Sequence, residues 1–127
     1  MTKKRTFPIT TKSRRAAQVT LCKGCCCGRI DRGHPEVPVD RLKAAWKEHG
    51  LRKSVQLTVS GCLGPCDVSN VVHLMTRQGE VWLGGLDGDR DYDLLVDWAR
   101  DVAERGSDAP LPDGLGEQVF ERWADDG

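Results

Sequence analysis

Six cysteines carry the chemistry of this chain, and they fall into two groups: Cys22, Cys25, Cys26 and Cys27, then Cys62 and Cys66. Taking Cys22 with Cys27 gives a C-x4-C pair, and Cys62 with Cys66 gives a C-x3-C pair 34 residues further on. Four thiolates suit zinc or an iron–sulfur cluster, because both favour soft sulfur ligands. The spacing weighs against structural zinc, which mostly uses C-x2-C knuckles, although Cys22-x2-Cys25 could form one. Gly64 and Pro65 lie inside the second pair, and a loop of small residues lets backbone N–H groups approach inorganic sulfide, hydrogen bonds that help set a cluster's potential. Any of Cys25, Cys26 and Cys27 could supply the second ligand. Spacing alone selects Cys27 and leaves Cys25 and Cys26 as alternates.

Little else in the chain suggests reactivity. His34 and His73 could ligate a metal in a Rieske-like way, but His73 falls in a predicted strand, and His34 beside Gly33 and Pro35 reads as loop-shaping. Trp46, Trp82 and Trp98 fall on apolar faces and read as core. Gly84-Gly85 lacks the Lys-Ser/Thr pair of a phosphate loop. No Ser/His/Asp or Cys/His arrangement stands out, so no catalytic site is expected.

Composition narrows the setting. With 127 residues, 39% of them hydrophobic and 30% charged, the chain is sized for one soluble domain. No apolar run reaches a membrane span, and the start, MTKKRTFPITTKSRR, lacks the apolar stretch of a signal peptide. The expected compartment is therefore the cytoplasm, where thiols serve as metal or redox groups more often than as disulfides. The formal net charge is zero, from 19 Lys+Arg against 19 Asp+Glu. Yet residues 1–53 hold 14 Lys/Arg against 4 Asp/Glu, a net of +10, and residues 54–127 hold 5 against 15, a net of −10. No nucleic-acid-binding motif accompanies the basic half. Its tail, with Lys3, Lys4, Arg5, Lys12, Arg14 and Arg15, is suited to steering an acidic partner.

The elements that must position the cysteines follow from periodicity. Residues 1–17 read as a basic arm. Val19, Thr20 and Leu21 predict a strand running into Cys22, and residues 23–38 a loop. Asp40 as N-cap, then Leu42, Ala45, Trp46 and His49 with Gly50 as stop, predict a helix over 40–49. Alternation at Val55, Leu57 and Val59 predicts a half-buried strand, followed by a loop at 60–69. Residues 71–75 and 80–83, joined through Arg77-Gln78-Gly79, predict an antiparallel hairpin. Tyr92, Leu95, Val96, Ala99, Val102 and Ala103 mark one face of a second helix. It is stopped by Gly106, with Asp89, Asp91 and Asp93 at its positive end. A Pro-rich link leads to a short helix around Val119, Phe120 and Trp123. The order is that of an α/β domain with a mixed four-stranded sheet at 18–106 and an extension at 107–127. Both cysteine groups fall directly after strands, where loops at one end of a sheet can converge.

The run Ser60-Gly61-Cys62-Leu63-Gly64-Pro65-Cys66-Asp67, followed by Val71-Val72, resembles the second cluster-binding loop of the thioredoxin-like [2Fe-2S] ferredoxins. The spacing of the four cysteines is similar to that in the related small subunit of respiratory NADH dehydrogenase. The resemblance spans roughly residues 18–105 and departs from the pattern at Cys25 and Cys26. It implies a thioredoxin-like fold, one [2Fe-2S] cluster on Cys22, Cys27, Cys62 and Cys66, and one-electron transfer between partner proteins, a reductase and an electron-accepting oxidoreductase. It also implies, for free-standing members, a homodimer. Apolar material for that interface could come from Trp82, Leu83 and Leu86 or from Phe120 and Trp123. Reduction takes such a centre from a charge of −2 to −3, and Lys23 and Arg29 are the cations expected to offset it. Two other readings stay open: a zinc or copper(I) module built on Cys25–Cys27, and a cluster-bearing subunit of a larger oxidoreductase.

Overall fold

Two stretches rich in β-branched residues, Ala17–Cys22 (β1) and Val55–Ser60 (β2), lie side by side and parallel, linked through helix α1 (Val39–Glu48). The structure, a computed structural model, describes residues 15–24 and 26–123 and, at Cys66, the backbone alone. Strand β3 (Val72–Thr76) runs antiparallel to β1, and β4 (Gly79–Leu83) antiparallel to β3. Helix α2 (Gly88–Arg105) follows, ending at Gly106. Strands run in the order β2-β1-β3-β4, with a β-α-β unit first and a β-β-α unit second. That is the thioredoxin-like topology.

Alternation along the strands separates two faces. Ala17, Val19 and Leu21 on β1, with Val72 and Leu74 on β3, are buried beside Leu42 and Trp46 of α1 and Tyr92, Leu95 and Ala99 of α2. Trp46 donates its indole N–H to the Val55 carbonyl at 3.0 Å, and Trp98 donates to the Ala109 carbonyl at 3.3 Å. Register places Thr20, His73, Trp82 and Phe120 in one row on the opposite face.

Several details differ from the sequence expectations. Among the described residues the sheet has five strands, not four: Val119–Phe120 (β5) pairs antiparallel with β4, Trp82 opposite Phe120 and Leu83 opposite Val119. No helix forms there; the helical turn α3 comes earlier, at Asp113–Gly116. Pro110 and Pro112 precede that turn and Gly114 and Gly116 lie in it, so it stays short, while β4 offers an open edge to two residues of high β preference. Helix α1 starts at Val39 with Pro38 at the N-cap, and Asp40 sits inside its first turn. In α2, Trp98 is buried as expected, whereas Ala103, placed on the apolar face from sequence, is exposed. Val59 is 38% exposed because β2 is the sheet edge. Leu83 and Leu86 are fully buried within the domain, and Trp82 is half-buried.

Candidate metal centre

Parallel pairing decides where the cysteines meet. Cys22 is the last residue of β1 and stands opposite Ser60, the last residue of β2, so both cysteine loops leave the sheet at the same end. The Lys23 N–H donates to the Ser60 carbonyl at 2.9 Å, and a methyl group at Gly24 would lie 4.0 Å from the Gly61 Cα. Strand β3, antiparallel to β1, begins here too, and the Cys22 N–H donates to the Val71 carbonyl at 3.1 Å.

Three thiols converge in this space. Cys22 and Cys27 are buried and hydrogen-bond to each other, while Cys62 stands exposed at the lip, close enough to act electrostatically on Cys22. The Val71 N–H donates to Cys27 Sγ at 3.3 Å, and the Leu63 N–H donates to the Cys22 sulfur. Burial, then the Cys27 hydrogen bond, push the Cys22 thiol up to about 12, with the Leu63 N–H acting in the opposite sense. A buried thiol of this kind gives up its proton when a soft cation takes the proton's place. Cys26 is half-buried, its carbonyl accepting the Arg29 N–H at 3.1 Å, and Cys25 lies outside the described residues. Cys66 opens the 3-10 turn Cys66–Val68; its side chain also lies outside the description.

The first loop is tied down by Asn70, a polar residue buried in the core. Its Oδ1 accepts the Gly28 N–H at 2.8 Å. Its Nδ2 faces the carbonyls of Pro35 at 2.9 Å, Leu86 at 3.3 Å and Glu36 at 3.4 Å, and the Tyr92 hydroxyl at 3.4 Å. Asn70 and Val71 thus hold two consecutive residues, Gly28 and Cys27. Gly28 has φ +76° and approaches Val37 so closely that a Cβ would lie 3.2 Å from its Cγ2. Burial raises the Tyr92 hydroxyl to about 12, with the Cys27 thiol adding to the effect.

The second loop is held by packing. A Cβ at Gly84 would lie 2.9 Å from Val68 Cβ and 3.0 Å from the Val68 carbonyl oxygen, so only glycine lets the Cys66–Val68 turn sit against the end of β4. The Gly85 N–H donates to that carbonyl at 2.7 Å. On its outer side, the Arg122 guanidinium lies over Gly64.

Among the charges named from sequence, Arg29 is committed elsewhere. Its guanidinium grips Asp31 at 2.7 and 2.9 Å, holding that carboxyl down at about 2. Lys23 is exposed. His73 pairs with Glu80 at 2.8 Å and lies tilted against Trp82 at 4.3 Å between ring centroids, and the His34 N–H donates to the Arg29 carbonyl within the loop. Asn70, Gly84 and Arg122 escaped sequence reasoning. Gly84 was visible only as half of a Gly pair, and the other two gave no local signal.

Among the described residues no three His, Cys, Asp or Glu side chains surround one ion. A [2Fe-2S] cluster needs something different, two thiolate pairs, one for each iron. The chemistry of the donor set fits that need. Cys22 and Cys27 are in contact, Cys62 and Cys66 flank a small-residue loop beside them, and main-chain N–H groups already point at two of the sulfurs. Among the described residues no helix is long and apolar enough to cross a membrane.

No protein-family model matches the chain, and no curated protein matches it in sequence. Among solved structures, the chain is similar to the wild-type thioredoxin-like [2Fe-2S] ferredoxin from Aquifex aeolicus, at 19% identity and a TM-score of 0.46. That match covers 86% of this chain and 100% of the other. A second structure of a thioredoxin-like [2Fe-2S] ferredoxin from Aquifex aeolicus matches at 18% identity and a TM-score of 0.47, covering 90% of this chain and 98% of the other.

Proposed function

We propose that this chain is a one-electron carrier whose single [2Fe-2S] cluster is held by Cys22, Cys27, Cys62 and Cys66. The observation that carries the reading is the meeting of Cys22, Cys27 and Cys62 at one end of the sheet, with the N–H groups of Leu63 and Val71 aimed at sulfur. The cluster supplies reversible acceptance of one electron; the protein supplies four thiolates, N–H donors that offset negative charge, and a partly exposed edge at Cys62. Cys25 and Cys26 are the alternates for the second position. Electrons pass to and from partner redox proteins, and the chain does no catalysis of its own.

Replacing each cysteine by serine and measuring iron per chain and the visible spectrum after anaerobic purification tests this. Loss of the cluster in the Cys62 and Cys66 variants is the expected result. Full retention in either overturns the assignment, and retention in the Cys27 variant hands that role to Cys25 or Cys26. A colourless protein carrying zinc or copper supports the metal-module reading instead.

Of the basic arm, residues 1–14 lie outside the described residues; Ala16 already bonds to Ser54, and Ala17 opens β1. The arm belongs to the same proposal as the element that steers an acidic redox partner in the cytoplasm. Deleting residues 3–15 leaves iron content nearly unchanged and removes much of the salt dependence of electron transfer, since screening acts over about 8 Å at physiological salt. The carrier is proposed to act as a homodimer, with Phe120 and the exposed Trp123 as apolar contacts. A scattering mass near 14.0 kDa at micromolar concentration refutes the dimer.

A further inference from the structure

We infer that Arg122 is the cation that both positions the second cysteine loop and favours the reduced state of the centre; this rests on the cluster reading above. The residue arrives from the segment just beyond β5. A Cβ at Gly64 would lie 2.7 Å from Arg122 Nη2 and 3.4 Å from its Cζ, so the guanidinium packs directly on the backbone midway between Cys62 and Cys66. Gly64 adopts φ +118°, and its missing side chain is what admits the arginine.

The guanidinium is held there by two rings. Its Cζ lies 5.4 Å from the centroid of Trp82 and 4.8 Å from that of Trp123, within the range of cation–π attraction. Trp123 is itself anchored, its indole N–H donating to Glu80 Oε1 at 2.6 Å. Trp82 is fixed in β4 opposite Phe120. Arg122 Nε is buried with no hydrogen-bond partner, and among the described residues no carboxylate pairs with the side chain. A partly buried cation with an unused donor and no paired carboxylate among the described residues is costly on its own. Beside a group carrying net negative charge the same placement becomes favourable.

A reducing partner gives up one electron, one ferric ion becomes ferrous, and the centre's charge goes from −2 to −3 with no bond broken and no proton taken. A fixed positive charge beside the loop stabilises the −3 state more than the −2 state, so it favours reduction. Lys23 is exposed and Arg29 is paired with Asp31, so neither replaces Arg122 in this role.

The test compares Arg122→Gln, Arg122→Lys and, as a remote control, Arg105→Gln, whose guanidinium pairs with Asp101 on α2. Reconstituted protein is titrated with dithionite and followed by visible absorbance. Arg122→Gln is expected to lower the reduced-to-oxidised ratio at fixed potential about tenfold, which for a one-electron couple is a shift of about 59 mV downward. Arg122→Lys keeps most of the effect and Arg105→Gln shows none. Where the Gln variant does not fold, Arg122→Met keeps the apolar stem between the rings and carries the same expectation. A shift below twofold at unchanged iron content overturns the redox role. A second reading uses cluster-free protein: amide exchange at Leu63 and Gly64 is expected to rise in Arg122→Gln relative to β1, and unchanged exchange overturns the positioning role. Wild-type protein that binds no iron refutes the function proposed above, while the exchange measurement still decides whether Arg122 holds the loop.

Discussion

The two cysteine loops occupy the same end of the sheet and are secured by different physics. Residues 23–38 are fastened from inside, through Asn70 and through the Val71 N–H on the Cys27 sulfur. Residues 61–69 are clasped from outside, with Gly84 receiving Val68 and Arg122 lying on Gly64. A hydrogen-bonded anchor buried in the core is stiff, because breaking it strands polar groups away from water. Packing against glycine and against a half-buried guanidinium yields more gradually. The first loop therefore keeps Cys22 and Cys27 in place, while the second combines an exposed cysteine with the greater freedom to adjust.

The buried anchor is most vulnerable at Asn70. Asn70→Ala leaves the Gly28 N–H and the Pro35 carbonyl without their partner. Each stranded group costs about 1–3 kcal/mol, so a loss of about 3–5 kcal/mol is expected in urea unfolding, together with loss of iron. A loss below about 1 kcal/mol would mean that the loop stands without the anchor. Gly84→Ala strikes the other loop. The new methyl group meets Val68 at 2.9–3.0 Å on three atoms, two of them fixed close to the backbone. The expected cost is about 1–3 kcal/mol, as for other overpacking substitutions. Faster amide exchange should be confined to residues 66–69, and equal loosening of residues 26–28 would show that the two loops are one mechanical unit.

This difference also explains what the sequence made legible. Periodic segments declared themselves: β1, β2, the β3–β4 hairpin and α2 follow from apolar spacing that each segment carries alone. The shared end of the two cysteine loops was legible as well, because two cysteine groups directly after strands joined through a helix imply parallel strands and loops at one end. The clasps were not. Asn70 reaches partners 42 and 35 residues away in sequence, and nothing in Ser69-Asn70-Val71 hints at them. Strand β5 is two residues long and exists because β4 has an edge to offer. Arg29 looked like the cation for the site until Asp31, two residues on, proved to hold it.

A smaller effect probes the outer clasp by pH. The Glu80 carboxyl is held below the usual carboxylate range, first by the Trp123 indole N–H and then by His73. A carboxyl lowered in the folded state adds stability above its unfolded value and loses that contribution as pH falls through the folded value. Acidification should therefore release Trp123 from Glu80 and loosen the neighbouring Arg122, leaving the Asn70 anchor untouched because amides do not titrate there. Because Glu80 is exposed, the change should be modest and should weaken in high salt. The indole N–H resonance of Trp123, followed from about pH 6 to about pH 3, reports it directly, the ordinary glutamate value lying near 4.3. A shift in wild-type protein that disappears in Glu80→Gln, while the Gly28 amide stays put, is the expected pattern. A Trp123 resonance that does not move, or a Gly28 amide that moves with it, would show that the acid-sensitive clasp and the buried anchor are not separate devices.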